Sequence, residues 1–356
     1  MRTHHLSSAT PTCQTQPDVP SRRFRRNALA LGLALACSLS ACGGGGGGGG
    51  TDAVLTPIDT APSTAGGGRG FAVPGLWTSF YGSAGSVDLA RMASTFRIFD
   101  IEADPDTGNF TPAQIKQLQN GGQNKVLTYF NLGSCENFRS YWNNVPTGVL
   151  SCSANKAAQL GPYDGFPDEV WMDVGNADYQ ALVLNYIAPR LVAQGIDGFY
   201  FDNMEIVEHG TNTTNGPCNA QCSQGGLNLI AKLRDKYPNM LFVLQNAASN
   251  TTRLGTATGA AGPVPFPSLF DGLAHEEVYK PTFDSTVESQ LINWSGMNLT
   301  PGGRPFWVAT LDYVGRCSNT TDAQSAFQSS RARGFAPSVS DASAGQQTVC
   351  YWPSNW

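Results

Sequence analysis

The chain has 356 residues, of which 41% are hydrophobic and 14% charged, with 22 basic against 27 acidic side chains and a formal net charge of −5. Residues 1–41 hold five arginines and one aspartate, so the remainder carries 17 basic and 26 acidic residues, a net of −9. That balance argues against nucleic acid and anionic polymers as partners and favours neutral or cationic ones, while the length allows one large domain or two ordinary ones.

Arg22, Arg23, Arg25 and Arg26 form a positive segment ahead of an apolar run over residues 28–41, which is too short to span a membrane. The pattern predicts a signal peptide over residues 1–41. It ends in Leu39-Ser40-Ala41-Cys42, which resembles the lipobox of bacterial lipoproteins. The resemblance implies acylation of Cys42 and contact with a membrane through a lipid anchor. Gly43 rather than aspartate after Cys42 implies an exported protein of the outer membrane. Eight glycines, Gly43 to Gly50, open a stretch rich in Thr, Pro, Ala and Gly that lacks an apolar period as far as Gly70. Residues 42–70 therefore read as a tether of roughly 30 Å if it behaves as a flexible coil, and the folded domain is expected over residues 71–356.

Six cysteines remain once Cys13, Cys37 and Cys42 are set aside. An even set in an exported chain predicts disulfides, and although fifteen connectivities are possible the local ones are expected: Cys135–Cys152, Cys218–Cys222 and Cys317–Cys350. The same part of the chain has only His209 and His275 and no paired C-x-x-C spacing, so neither a metal nor a cofactor is expected.

From Phe71 onward eight strand-like apolar runs recur, at residues 76–81, 96–101, 125–132, 170–174, 196–202, 241–246, 273–278 and 305–311. Helix-like segments separate most of them. Thr111-Pro112 reads as an N-cap and first position of a helix to Gln119, and residues 179–194 read as a helix closed by Gly195, with a kink at Pro189. Leu227, Ile230, Leu233 and Tyr237 keep helical spacing up to Pro238. Residues 322–333 form another helix, with Asp322 and Gly334 at its ends. Strands alternating with helices over this length predict an α/β fold, a single (β/α)8 TIM barrel. A monomer is expected.

Active sites of such barrels sit at the C-terminal ends of the strands, so a carboxylate that closes an apolar strand is a site candidate. Asp202 closes the fifth run. Other polar groups at or just past run ends are Tyr81, Asp100, Glu102, Tyr129, Asn131, Glu136, Asp173, Asn203, Glu205, Asn246, Glu276, Glu277, Tyr279 and Asp312. Side-chain alternation sorts some of them. Gly198, Tyr200 and Asp202 share a face while Phe199 and Phe201 share the other; Gly272, Ala274 and Glu276 share a face opposite Leu273 and His275. Glu276 is thus the inward candidate and Glu277 a rim residue. Two inward carboxylates among amides and aromatic rings suit glycoside hydrolysis, with Tyr81, Tyr129, Trp142, Trp171, Tyr279 and Trp307 available as faces for sugar rings or as core.

The segment GIDGFYFDNMEI, residues 195–206, is similar to the GxDGxxxDNxD segment of glycoside hydrolase family 114, the endo-α-1,4-polygalactosaminidase family. FDGLAHEEVY resembles that family's segment ending in Asn-Glu, with His275 in place of the asparagine; KVLTYFNLGSCENFRSYW and EVWMDVGN resemble its third and fourth strands. The resemblance implies an exported endo-glycosidase acting on an α-1,4-linked galactosamine or N-acetylgalactosamine polysaccharide, with Asp202 and Glu276 as the catalytic pair. It also implies substrate contacts from among Tyr81, Asp100, Tyr129, Glu136, Asp173, Asn203, Glu205, Asn246, Tyr279 and Asp312. Glu205, where the family commonly has aspartate, and Gln245, where lysine is frequent, depart from the pattern at positions that bear on substrate preference. Two alternatives stay open at this level: a noncatalytic polysaccharide-binding surface lipoprotein, and a glycosidase of the same barrel type for another α-linked sugar.

Overall fold

The computed structural model describes residues 71, 76–297, 306–341 and 345–356. The predicted signal peptide, Cys42 and the tether lie outside the described residues.

The sheet is a barrel of eight parallel strands: β1 Trp77–Phe80, β2 Ile98–Ile101, β3 Lys125–Asn131, β4 Gly198–Asp202, β5 Leu241–Gln245, β6 Gly272–Glu276, β7 Trp307–Tyr313 and β8 Ala336–Ser340. They neighbour one another in chain order. β8 returns beside β1, where the Trp77 indole N–H donates to the Ala336 carbonyl at 2.9 Å. Burial falls into two apolar sets, as a closed sheet requires. The interior set includes Trp77, Ile98, Leu127, Tyr200, Val243, Ala274, Trp307, Leu311 and Tyr313. The larger outer set, with Phe99, Phe130, Phe199, Phe201, Phe242 and Leu273, packs between strands and helices. The alternation read for β4 and β6 is the observed one: Tyr200 and Ala274 face in, Phe199, Phe201 and Leu273 face out.

The sequence count of eight strands is right, but one member is wrong. Residues 170–174 do not form a barrel strand. They end Phe166–Met172, the middle strand of a three-stranded antiparallel sheet with Ser134–Glu136 and Gln159–Tyr163, inserted after β3 and joined by the Cys135–Cys152 disulfide. A short apolar run has no period that separates a barrel strand from an antiparallel one. The eighth barrel strand is instead β8, whose inward residues Ala336, Ser338 and Ser340 are small and mostly polar and so give no apolar alternation; of these, Ala336 packs against the interior set that contains Trp77. The runs numbered fifth and seventh in the sequence are therefore β4 and β6.

Helix Pro112–Gln119 has Thr111 as its N-cap with a full capping box to Gln114. The helix expected over 179–194 is three pieces, Ala177–Leu182, a π turn Val183–Ile187 and Ala188–Val192. Pro189 lacks the N–H that would reach back one turn and its ring crowds the carbonyl four residues earlier, so the chain widens into the π turn. Gly195 follows at φ +82°, the left-handed closure expected of it. Helix Ala220–Lys236 contains Leu227, Ile230 and Leu233 of the predicted apolar spacing, with Tyr237 as its C-cap. Helix Thr320–Ala332 is capped by Asn319, three residues before the expected Asp322. The other two disulfides pair as expected locally, Cys218–Cys222 and Cys317–Cys350.

Candidate active site

β4 ends at Asp202 and the next residue, Asn203, has φ +61°. Asparagine tolerates the left-handed region better than most residues, and here it turns the chain off the barrel rim into the short helix Met204–Glu208. Asn203 does not face the cleft. It is 2% exposed and its Nδ2 donates to Asn131 Oδ1 at 2.9 Å and to Ser134 Oγ at 3.2 Å, while Tyr163 donates to its Oδ1 at 3.3 Å. These contacts fasten the inserted sheet to the end of β3. Gly133 lies beside this junction so tightly that a Cβ there would sit 1.8 Å from the Asn203 carbonyl oxygen.

β5 and β6 end the same way, with Asn246 at φ +61° and Glu277 at φ +55°. Asn246 Nδ2 donates to Glu276 Oε2 at 2.9 Å, and Asn246 Oδ1 accepts the Glu276 backbone N–H at 3.0 Å. Glu276 Oε1 accepts the Tyr313 hydroxyl and, at 3.2 Å, Gln346 Nε2. The half-buried Glu276 carboxylate is thus gripped by three donors, from the residue that follows β5, from β7 and from the segment after β8. Glu277, past the strand end, sends its N–H to the Leu311 carbonyl at 2.8 Å. His275 faces outward, with Nδ1 2.7 Å from the Glu276 carbonyl, and burial holds its pKa below the usual value, so it is neutral. Glu205 lies within electrostatic reach of His275 and of Glu208.

Below the rim the interior carries more polar groups. Asp100 is fully buried; its Oδ2 accepts Ser79 Oγ at 2.7 Å and the Tyr81 hydroxyl at 2.6 Å, and its Oδ1 has no partner. Burial, reinforced by the neighbouring charges of Asp202 and Glu102, pushes its pKa well above the usual carboxylate range. The Tyr200 hydroxyl, one inward position below Asp202 on β4, is fully buried without a hydrogen-bond partner and feels Asp100, Glu276 and Asp202 together. Tyr81 and Tyr129 pack ring to ring at 5.0 Å, both nearly buried.

Several sequence candidates have other work. Glu136 is fully buried and, with Glu102, holds the buried Arg139 at 2.6 and 2.5 Å. Asp312 faces out from β7, fully buried, accepting the backbone N–H groups of Tyr279 and Lys280 at 2.6 and 2.8 Å. Tyr279 turns towards helix Ser285–Ser295 and donates to Glu288. Asp173 is not at a barrel strand end; its Oδ1 accepts the Gly175 N–H at 2.8 Å. Trp171 is stacked on Tyr163 at 4.0 Å within the inserted sheet, and Trp307, the first residue of β7, lies at the barrel floor, away from the mouth. Sequence reasoning missed Tyr200, Tyr313 and Gln346 as members of the site. Alternation through Trp307, Ala309 and Leu311 points to Tyr313 rather than Asp312 as inward, so that signal was present. No group of three or more His, Cys, Asp or Glu side chains among the described residues is placed to hold a metal.

Two strand-end carboxylates on inward positions, Asp202 and Glu276, stay open to solvent. Such a pair can divide nucleophilic attack and proton transfer between them. The family model described as "Glycoside-hydrolase family GH114" matches residues 71–355. An uncharacterized protein from Deinococcus radiodurans is 24% identical over 252 residues, covering 68% of this chain and 73% of that protein. Among solved structures, the glycoside hydrolase domain of PelA from Pseudomonas aeruginosa superposes with a TM-score of 0.56 at 15% identity, over 78% of this chain and 99% of that one. Aspergillus fumigatus Ega3 in complex with galactosamine gives 0.54 at 17% identity, over 79% and 96%. These two likenesses support the barrel fold.

Proposed function

The chain belongs to glycoside hydrolase family GH114, and we propose that it is an endo-glycosidase cleaving α-1,4-linked galactosamine or N-acetylgalactosamine polysaccharide by a retaining two-carboxylate mechanism. The observation that carries the proposal is the inward placement of Asp202 and Glu276 at the ends of β4 and β6, the second of them fixed by three donors. That the solved Ega3 structure contains galactosamine supports the choice of sugar, and the net charge of −9 left after residues 1–41 suits a cationic amino-sugar polymer.

In the first step an Asp202 oxygen attacks the anomeric carbon, the glycosidic C–O bond breaks, and Glu276 gives its proton to the departing oxygen. In the second, Glu276 takes a proton from water as that water's oxygen displaces Asp202. The hydrogen bonds indicate which oxygen carries the proton. Both lone pairs of Oε1 are used by Tyr313 and Gln346, and one lone pair of Oε2 by Asn246, which leaves the remaining Oε2 lone pair for the mobile proton. We further propose that the enzyme is exported and held at the outer membrane by a lipid on Cys42, and works as a monomer. Incubation of the purified protein with fully acetylated and de-N-acetylated α-1,4-galactosamine polymers, with mass spectrometry of the products and NMR of the first-formed anomer, tests the substrate and the stereochemistry. Oligosaccharides with retained configuration are expected; release from neither polymer assigns the barrel to another α-linked sugar.

A further inference from the structure

We propose that Gln346 is a positioning residue for Glu276, acting through the Tyr313 hydroxyl and clamped in place by the Cys317–Cys350 disulfide; the proposal rests on Glu276 being the acid/base group. Gln346 belongs to no regular element, yet it is 1% exposed and its side-chain amide is used at both ends. Nε2 donates to the Tyr313 hydroxyl at 2.6 Å and to Glu276 Oε1 at 3.2 Å, and Oε1, 3.3 Å from Ser79 Oγ, shares that hydroxyl's one proton with the nearer acceptor, Asp100 Oδ2 at 2.7 Å. Its carbonyl accepts the Tyr81 N–H at 3.0 Å. Its φ is +44°, a region glutamine rarely occupies and one that persists only where the surroundings over-determine it.

The chemistry follows from donor counting. A phenol has one proton; because Gln346 donates to the Tyr313 oxygen, that proton is directed to Glu276 Oε1. The acid proton of Glu276 is thereby excluded from Oε1 and held on Oε2. Without Gln346 the phenol is free to turn and the acid proton to sit on the wrong oxygen. The clamp is visible in the chain: Cys317 lies four residues after Tyr313, and Cys350 four residues after Gln346, so the disulfide ties together the two segments that supply these donors. The titratable groups facing Glu276 are Tyr313 from β7 and Tyr200 from β4 with Asp202 above it; His275, the preceding residue on its own strand, points outward and meets the Glu276 backbone carbonyl, and Asp100 of β2 is linked to Glu276 through Ser79 and Gln346. Asn246, the residue that follows β5, adds no charge.

The test compares the full-length protein with Gln346→Leu, with the double variant Cys317→Ser/Cys350→Ser, and with all three substitutions together, using de-N-acetylated α-1,4-galactosamine polymer. For Gln346→Leu we expect kcat to fall 10- to 100-fold with KM changed less than threefold. The alkaline limb of kcat should move to higher pH, because the lost N–H donors favoured the charged carboxylate. The cysteine double variant, measured well below its melting temperature, should move the same limb in the same direction, and should add nothing to it in the Gln346→Leu background. A Gln346→Leu protein with kcat within twofold of the parent, or either variant showing a lower melting temperature with an unmoved alkaline limb, overturns the proposal. Should Gln346→Leu fail to fold, the cysteine variant's limb decides. Activity retained in Glu276→Gln would instead remove the acid/base assignment beneath it.

Discussion

Asn246 and Glu276 hold each other twice: the asparagine amide donates to the carboxylate, and the asparagine carbonyl accepts the glutamate's own backbone N–H. The carboxylate is therefore oriented relative to the strand that carries it by the residue that follows the neighbouring strand. This ties the accuracy of the site to the pairing of β5 with β6 rather than to any loop.

That pair gives the first prediction. Asn246→Gly keeps the left-handed backbone without strain and removes both hydrogen bonds. A hydrogen bond to a charged group is worth about 1.5–3 kcal/mol, so kcat should drop roughly 10- to 100-fold while the melting temperature changes little. Steady-state kinetics beside a thermal melt decides it; an unchanged kcat shows that Glu276 is oriented by its other partners alone.

The carboxylates themselves come next. Asp202→Asn and Glu276→Gln preserve shape and lose the charge or the mobile proton, so both should fold and lose activity by about 10²–10⁴ or more. Glu277→Gln should keep most activity, since residue 277 leaves the strand with φ +55° and its backbone bonds to β7. An inactive Glu277→Gln beside a near-normal Glu276→Gln would reverse the assignment.

Asp312 predicts how stability varies with pH. Its pKa is raised to about 7 by burial, against an ordinary 3.8, so between these values the folded protein holds a proton that the unfolded chain has released. Stability therefore decreases as pH rises from about 4 to 7, by at most roughly 4 kcal/mol at about 1.4 kcal/mol per unit. Asp312→Asn mimics the neutral acid and should remove this slope, becoming more stable than the parent above pH 7. Denaturant melts at pH 5 and pH 8 provide the comparison, and parallel losses in both proteins would refute it.

The disulfides should rank by the loops they close. Cys218–Cys222 closes four residues, Cys135–Cys152 seventeen and Cys317–Cys350 thirty-three, so chain entropy assigns them about 2, 3 and 4 kcal/mol. Serine pairs introduced one bridge at a time and unfolded in urea should follow that order. A largest loss at Cys218–Cys222 would mean that native-state packing outweighs loop closure.

For the anchor, Cys42→Ala should move the protein from the membrane fraction to the soluble one without altering hydrolysis. Cell fractionation with an activity assay on both fractions is the measurement. A variant as membrane-bound as its parent excludes acylation of Cys42 as the attachment.

The site's two main carboxylates were legible because each closes an apolar strand whose alternation fixes its facing. β8 was not, because its inward residues Ala336, Ser338 and Ser340 are small and mostly polar, carry no apolar alternation and look like loop. The strand Phe166–Met172 misled for the opposite reason, being apolar enough to pass for a barrel member. Tyr313 could have been found by continuing the alternation of β7 two residues past Leu311. Gln346 could not: it sits in irregular chain and meets Glu276 across 70 residues of sequence, a contact that no local pattern encodes. Asn203 shows a further limit, since its place beside Asp202 suggested substrate contact while its side chain fastens one sheet to another.

The floor of the barrel has a consequence for orientation. Phe71 packs its ring on Trp307 at 4.8 Å, and Trp307 in turn meets Trp77 edge-on, so the chain enters the domain through a plug of aromatic rings at the end opposite the mouth. Anything fastened upstream of Phe71 pulls on the closed end. If residues 42–70 tie the domain to a lipid surface, the barrel stands on that surface with its catalytic opening turned outward, towards polymer arriving from the surrounding medium.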